Sequence, residues 1–128
     1  MIVFLRGKIL FTYPNEIVID VQGVGYRVEI GDQVFLQNEE SELHIFTHVS
    51  ERDIRLFGFK NPDDYKIFKM LLGVSGVGPK TAMGIVSKNG FSRIVTAINS
   101  SSAKELTGGG VGKKTAEKII LELKGKVD

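Results

Sequence analysis

The sequence predicts an α+β chain of two domains, in which a small five-stranded β-barrel precedes an all-helical unit. Two observations predict this fold class: the apolar pattern changes from alternating to helical near residue 61, and a glycine-rich motif occurs twice in the second half. A chain of 128 residues has room for one ordinary domain or two small ones. We expect the first domain to span residues 1–62 and the second to span residues 63–128.

Five short stretches of alternating apolar and β-branched residues predict the strands. These stretches are residues 2–11, 16–21, 25–30, 43–49 and 54–59. Gly23 and Gly25 flank a single residue, which indicates a tight hairpin or a bulge with positive φ. Because most of these strands have no helical period between them, a closed barrel is favoured, and closure removes exposed strand edges.

Helix-start signals and helical spacing of apolar residues predict five helices in the second half. The helices begin at Pro62, Pro79, Phe91, Ser102 and Gly112. Asn61 precedes the first helix as its expected cap, and two acids follow in the first turn. The segment from Ser102 to Glu105 resembles a capping box.

Composition excludes several classes of protein. The sequence contains no cysteine, which excludes disulfides, thiol catalysis and thiolate metal sites. No apolar run approaches the roughly 18 residues that cross a bilayer. Arg6 and Lys8 interrupt the apolar start of the chain, so we do not expect a secretory leader. These features favour a cytoplasmic protein.

The two halves of the chain carry opposite net charge. Lys, Arg, Asp and Glu give −4 over residues 1–63 and +6 over residues 64–128, for a total of +2. A basic half beside an acidic half suggests a polyanionic partner, such as nucleic acid, for the second half. A solvated lysine-rich helical surface is the alternative explanation.

An internal repeat with an offset of 34 residues lies in the basic half. Residues 72–82 match residues 106–116 at seven of eleven positions, and both copies contain the core Gly-Val-Gly-x-Lys-Thr-Ala. The lysine and threonine are also found in P-loops, but Pro79 interrupts the required spacing in the first copy and the preceding segment is helical. We therefore reject nucleotide binding.

The repeated core has the properties of a phosphate-binding corner. Gly76 and Gly78 allow a sharp turn and keep side chains away from a ligand, and Val77 is expected to pack back into the core. The first N–H groups of the next helix have no intrahelical partner and attract phosphate oxygens. Lys80 adds charge, and Thr81 can add a hydroxyl contact. The alternative is an ordinary glycine helix cap beside exposed lysines.

These residues resemble a known family. The paired cores look like tandem helix-hairpin-helix motifs, and the whole chain resembles RuvA, the Holliday-junction-binding subunit of the RuvAB branch-migration complex. The matching stretches are residues 1–7, 21–28, 46–49, 56–59 and 112–120. The resemblance implies an OB-like barrel, a helix-hairpin-helix DNA-binding domain and a homotetramer, with two tetramers around the DNA left open. It also implies a non-catalytic function in recombination and DNA repair.

The resemblance places sequence-independent DNA contacts on both copies of the core. The implied contact residues are Gly76, Val77, Gly78, Lys80, Thr81, Gly110, Val111, Gly112, Lys113, Lys114 and Thr115. Phosphate contacts position a duplex without reading its bases, which suits a protein that must act on every sequence it passes.

The resemblance also implies an acidic pin between the last two barrel strands. Glu51 falls on the first pin position, Arg52 occupies the second, and Asp53 lies one residue later. Carboxylates there would repel phosphates and help to keep a junction open. An ordinary solvated hairpin tip is the alternative for Glu51 and Asp53.

Partners also follow from the resemblance. RuvA proteins continue into a third small domain that binds the RuvB ATPase, and this chain stops before such a domain, so we expect junction binding without effective coupling to RuvB. The RuvC resolvase is a further possible partner. No cofactor, metal or catalytic residue is expected, and His44 and His48 are interpreted as packing residues. A DNA-binding fragment of a helix-hairpin-helix ligase or repair nuclease, and a protein-interaction module, remain alternatives.

Overall fold

The structure, a computed structural model, describes residues 1–108 and 110–127 and divides into two compact units, Met1–Tyr65 and Lys66–Asp128. The first unit contains five strands: β1 (Phe4–Thr12), β2 (Glu16–Val21), β3 (Val24–Glu29), β4 (Glu40–Val49) and β5 (Ile54–Phe59). They close into a barrel in the order β1-β2-β3-β5-β4. The second unit is helical. The predicted domain boundary lies in the first turn of the helix that follows the barrel.

The barrel core comes from the inward-facing residues of the alternating pattern. Buried side chains include Ile9, Ile17, Ile19, Val28, Leu43 and Ile45. Neighbouring strands pair in antiparallel fashion except β3 and β5, which are parallel and pair at Glu29 and Phe57. Because this seam has a single paired position, other interactions have to support closure.

An ion pair supports the β3–β5 seam. The guanidinium of Arg55 donates from Nε and Nη2 to the two carboxylate oxygens of Glu29, at 2.8 and 2.7 Å. Such a two-pronged geometry makes a strong charge-assisted bond. The bond raises the pKa of Arg55 above its ordinary value, although desolvation opposes the shift. The guanidinium also lies 5.0 Å from the ring centroid of Phe57.

The barrel differs from the sequence prediction at several strand ends, since β1 and β3 are shifted by one or two residues and β4 is longer. β4 begins at Glu40 rather than Leu43, because residues 40–42 pair with β1. In the β2–β3 turn, positive φ occurs at Gln22 and Gly23, and not at Gly25, which lies in β3. Gly23 N–H donates to Asp20 Oδ1 at 2.7 Å, which fixes this turn. The predicted tight hairpin with positive φ is therefore confirmed, with Gly23 and not Gly25 in that conformation.

The helices are α1 (Pro62–Leu72), α2 (Pro79–Asn99), α3 (Ala103–Leu106) and α4 (Lys113–Leu123). Asn61 caps α1 as predicted, since its Oδ1 accepts the N–H groups of Asp63 and Asp64. The helix predicted from Phe91 is the second half of α2, which breaks at Gly90 with φ 77° and ψ 167°.

The capping box predicted at Ser102 does not form. The Ser102 hydroxyl makes no cap bond, and the Ser102 N–H donates to the Ala97 carbonyl at 2.8 Å and not to the Glu105 side chain. Over residues 1–108 and 110–127, none of the helices has the length and apolar content that a bilayer crossing requires.

Candidate nucleic-acid interface

The first hairpin, residues 73–78, connects α1 to α2. Val77 N–H donates to the Val74 carbonyl at 3.0 Å, which closes a tight turn. The side chains of both valines are buried, with exposures of 6% for Val77 and 2% for Val74. Val77 therefore packs inward, as predicted, and any contact that it makes with a ligand must come from its backbone.

The second hairpin, residues 107–112, connects α3 to α4 and has the same core. Gly108 and Val111 exchange two backbone bonds of 3.0 Å, and Val111 is buried like Val77. Leu106, at the end of α3, is also buried. Gly109, which belongs to the repeated motif, lies outside the described residues. The repeat in the sequence thus corresponds to a repeat in structure.

The two glycines of each core differ in whether their backbone conformation favours glycine. Gly76 and Gly110 are exposed and have φ of 86° and 93°, a region that favours glycine. Gly78 and Gly112 have φ of −94° and −87° with extended ψ, which any residue can adopt. The expectation that Gly78 needs an unusual conformation was therefore wrong. A Cβ at Gly78 or Gly112 would meet nothing within 4 Å, so the fold itself does not require glycine there.

The helices that follow the hairpins start without a cap. Neither Gly78 nor Gly112 is accompanied by a side-chain cap bond, and neither α2 nor α4 has an acid in its first turn. By contrast, α1 has both, with Asn61 as the cap and two aspartates. Uncapped N–H groups at a helix start carry the positive end of the helix dipole and are suited to bind an anion.

Basic and hydroxyl side chains surround these two helix starts. Lys80 is exposed on α2 and Thr81 is half-buried, while Lys113 and Lys114 are exposed on α4. Thr115 is half-buried like its counterpart in the first copy. Lysine is unfavourable near a positive dipole end, so a bound anion would compensate a cost that the free protein carries.

Two further lysines approach the hairpins, and sequence reasoning missed both. Lys118 of α4 places Nζ 4.0 Å from the position that a Cβ on Gly76 would take, so a lysine of the helix after the second hairpin lies near the first hairpin. Lys88 of α2 donates from Nζ to the Thr107 carbonyl at 2.6 Å, at the second hairpin. The only signal in the sequence was the excess of lysine in the second half, because these approaches depend on tertiary structure.

The tip between β4 and β5 holds the predicted pin residues. Glu51 is exposed, whereas Asp53 is bonded back to the turn, with Oδ1 accepting from Ser50 Oγ at 3.0 Å. Arg52 is exposed beside them. Both carboxylates are therefore exposed, and they differ in that Asp53 also accepts a bond from the turn.

The two histidines differ in their surroundings. His44 stacks on Tyr65 with ring centroids 5.5 Å apart and meets the edge of Phe4 at 5.9 Å, which confirms a packing interpretation. His48 Nδ1 is buried and lacks a hydrogen-bond partner in the structure as described. In the described part of the chain, no three side chains of His, Cys, Asp or Glu come together as a metal-binding group.

Comparison with known proteins matches both units. The model of the RuvA N terminal domain matches residues 1–58, and that of the SAM-like helix-hairpin-helix tandem matches residues 68–126. Proteins named Holliday junction branch migration complex subunit RuvA are 40% identical in Lactiplantibacillus plantarum, 42% in Geotalea daltonii and 44% in Bdellovibrio bacteriovorus. The alignments cover 98–99% of this chain.

The chain belongs to the RuvA family. It spans 63%, 66% and 68% of the length of those three relatives. The match to the RuvA N terminal domain and to the helix-hairpin-helix tandem confirms the predicted fold class, an OB-like barrel followed by a tandem helix-hairpin-helix domain.

Proposed function

We propose that this chain binds four-way DNA junctions without regard to sequence, as the non-catalytic DNA-binding subunit of a branch migration complex. The observation that carries the proposal is the pair of uncapped helix starts at Gly78 and Gly112, which lack acids and have exposed lysines beside them. The names of the relatives support the junction as the substrate and a complex as the setting.

The chemistry of the two hairpins suits phosphate and not bases. Each helix start offers backbone N–H groups, which donate to any phosphate oxygen, and lysines, which add charge without directional selectivity. Both are contacts that position a duplex without reading its sequence. The proposed contact residues are the eleven that the sequence indicated, together with Lys118 of α4.

The proposed assembly is a homotetramer around the junction. Exposed large apolar residues on the barrel support an interface between copies: Val3, Phe4, Val49 and Ile54 are 59%, 43%, 61% and 67% exposed. Coupling to RuvB would require the third domain of the family, and RuvC would be a further partner on the junction. The proposed location is the cytoplasm, where bacterial DNA is found. The mass in solution, measured with and without a four-way junction, tests the tetramer.

Glu51 is the proposed pin carboxylate, with Asp53 in a supporting position. Its exposure at the β4–β5 tip supports the proposal, because a solvated carboxylate can repel phosphate directly. Glu51→Lys should tighten binding and change the distance between junction arms, as measured by fluorescence energy transfer. Glu40→Lys, the same charge change at the start of β4 and away from the β4–β5 tip, is the control. If Glu51→Lys and Glu40→Lys changed junction affinity and arm distance equally, the proposed pin function of Glu51 would be contradicted.

Binding to three DNA substrates tests the proposed function. A four-way junction, a duplex of matched sequence and a nicked duplex are compared by fluorescence anisotropy at several salt concentrations. We expect preference for the junction and a steep loss of affinity with salt, because phosphate contacts release counterions. Preference for the nicked duplex would instead indicate the ligase or nuclease alternative. Absence of binding to all three DNA substrates at low salt would instead indicate the other alternative, a protein-interaction module.

A further inference from the structure

Lys88 makes a contact that phosphate binding by itself does not explain. Its Nζ donates to the carbonyl of Thr107 at 2.6 Å, and a Cβ on Gly108 would lie 2.6 Å from the same Nζ. The ammonium thus lies directly against the start of the second hairpin. Lys88 belongs to α2, the helix that follows the first hairpin, so this helix contacts the second hairpin through one side chain.

The second hairpin needs this support because the helix before it is short. α3 has four residues, its Ser102 start has no side-chain cap, and Leu106 is its one buried residue. By contrast, α1 has eleven residues, of which Ile67, Phe68 and Leu71 are buried. A single helical turn has little stability of its own and depends on tertiary contacts.

The Lys88 contact holds the point where α3 ends and the hairpin begins. Thr107 is the C-cap of α3, and its hydroxyl donates to the Lys104 carbonyl at 2.8 Å. Gly108, the next residue, exchanges backbone bonds with Val111, which packs into the core. Fixing the Thr107 carbonyl therefore fixes the start of the turn that leads to Gly112 and the N–H groups of α4.

We propose that Lys88 is a positioning residue for the second hairpin. It acts through the Thr107 carbonyl to hold the N-terminal amides of α4 in register for a phosphate, and it does not contact phosphate itself. This inference rests on the proposed function for its effect on DNA. Its effect on the hairpin can be measured in the free protein.

Two substitutions separate positioning from direct phosphate contact. Lys88→Met keeps the length of the side chain and removes the ammonium, whereas Lys88→Arg keeps a donor that can reach the carbonyl. Lys126→Met removes a charge from an exposed lysine in the same unit and is the control. Affinity for a four-way junction is measured at several salt concentrations. Amide hydrogen exchange is measured without DNA.

The expected result is a loss of affinity with an unchanged salt slope. Lys88→Met should weaken binding about threefold at every salt concentration, as expected for one exposed charge-assisted hydrogen bond. Exchange of the Gly108 and Val111 amides should accelerate by a similar factor. Lys88→Arg should restore both values, and Lys126→Met should leave the exchange at these two amides unchanged.

Two results would overturn the positioning function. A salt slope that decreases by about 0.9 would mean that Lys88 neutralises a phosphate directly. Unchanged exchange at Gly108 and Val111 in Lys88→Met would mean that the contact does not hold the hairpin. If the unsubstituted protein bound no DNA, the proposed function would fail, while the exchange measurement would still decide the positioning function.

Discussion

The two hairpins share a sequence core and the conformation of its two glycines, but differ in the helix before them and in the charge of the helix start after them. The first follows an eleven-residue helix with three buried side chains, whereas the second follows a four-residue helix with one. The order reverses for anion-binding groups: Pro79 has no N–H and is followed by one lysine, whereas α4 starts with Lys113 and Lys114. The hairpin that follows the longer helix thus leads into a helix start with fewer N–H groups and fewer lysines, although Lys118 of α4 also approaches it.

This difference shows that a repeated motif need not make equal contributions. A well-supported hairpin loses little entropy on binding, so on the proposed function fewer charges would suffice for it. The second hairpin would gain more from its lysines but would depend on Lys88 and on Val111 to hold its shape. The comparison leads to predictions that should affect the two hairpins unequally.

Charge reversal should produce the largest effect. Lys113→Glu with Lys114→Glu should weaken DNA binding about a hundredfold at low salt, and Lys80→Glu about tenfold, because each reversal replaces an attraction to phosphate by a repulsion. The slope of log affinity against log salt concentration should decrease in magnitude by about 0.9 for each phosphate that the protein no longer neutralises. Fluorescence anisotropy with three unrelated duplex sequences measures both. If the single and the double variant lost the same amount of DNA affinity, the two helix starts would not differ in their charge contribution to binding, against the prediction.

Alanine at the positive-φ glycines should affect stability next. Gly76→Ala should lower the free energy of unfolding by about 1–2 kcal/mol, because alanine is strained at such φ. Gly110→Ala introduces the same strain but should lower the global value less, since the second hairpin can open locally. Urea unfolding gives the global value, and hydrogen exchange at Val111 gives the local one. If Gly110→Ala lowered the global free energy of unfolding more than Gly76→Ala does, the proposal that the first hairpin is the better supported one would be contradicted.

Substitution of Lys118 should reduce DNA affinity less than the charge reversals do, and it should act at the first hairpin. Lys118→Met should weaken binding about threefold and reduce the salt slope by about 0.9, as expected for one phosphate contact. Its effect should not add to that of Lys80→Glu if both lysines approach the same phosphate. A double-mutant cycle measures the coupling. Coupling to Lys114 and not to Lys80 would place Lys118 at the second hairpin, against the geometry at Gly76.

Substitution of Arg55 in the barrel should have the smallest effect, a small loss of stability that leaves both hairpins unchanged. Arg55→Met should lower the free energy of unfolding by about 0.5 kcal/mol, since the ion pair with Glu29 is partly exposed. The pair raises the pKa of Arg55, so its contribution is present below the ordinary value and is lost only as the pH rises through the raised value. Thermal unfolding should therefore show a constant difference from about pH 6 to about pH 9. An unchanged free energy of unfolding in Arg55→Met would contradict the proposed support of the β3–β5 seam.

Local patterns in the sequence predicted most of the fold. The bounds of β2 and β5 agree with the prediction, and Asn61 and Pro79 mark helix starts, because caps, proline and alternation act over a few residues. The start of β4 at Glu40 was missed, since it depends on pairing with β1 and not on an apolar pattern.

The candidate site was predictable where the repeat marks it and not elsewhere. Both hairpins lie at the surface with their valines inward, as the repeated core indicated. Lys88 and Lys118 could not be found, because each approaches a hairpin more than fifteen residues away along the chain. The interactions with DNA remain predictions.

Alanine at the extended glycines tests the central claim most directly. In the variant Gly78→Ala with Gly112→Ala, each new Cβ meets nothing within 4 Å and has an allowed φ, so the free energy of unfolding should be unchanged or slightly higher. Each methyl group would nevertheless stand between the helix amides and an approaching phosphate. We predict that junction affinity falls at least about tenfold while stability is kept. Unchanged affinity in this stable variant would contradict phosphate binding at the two helix starts.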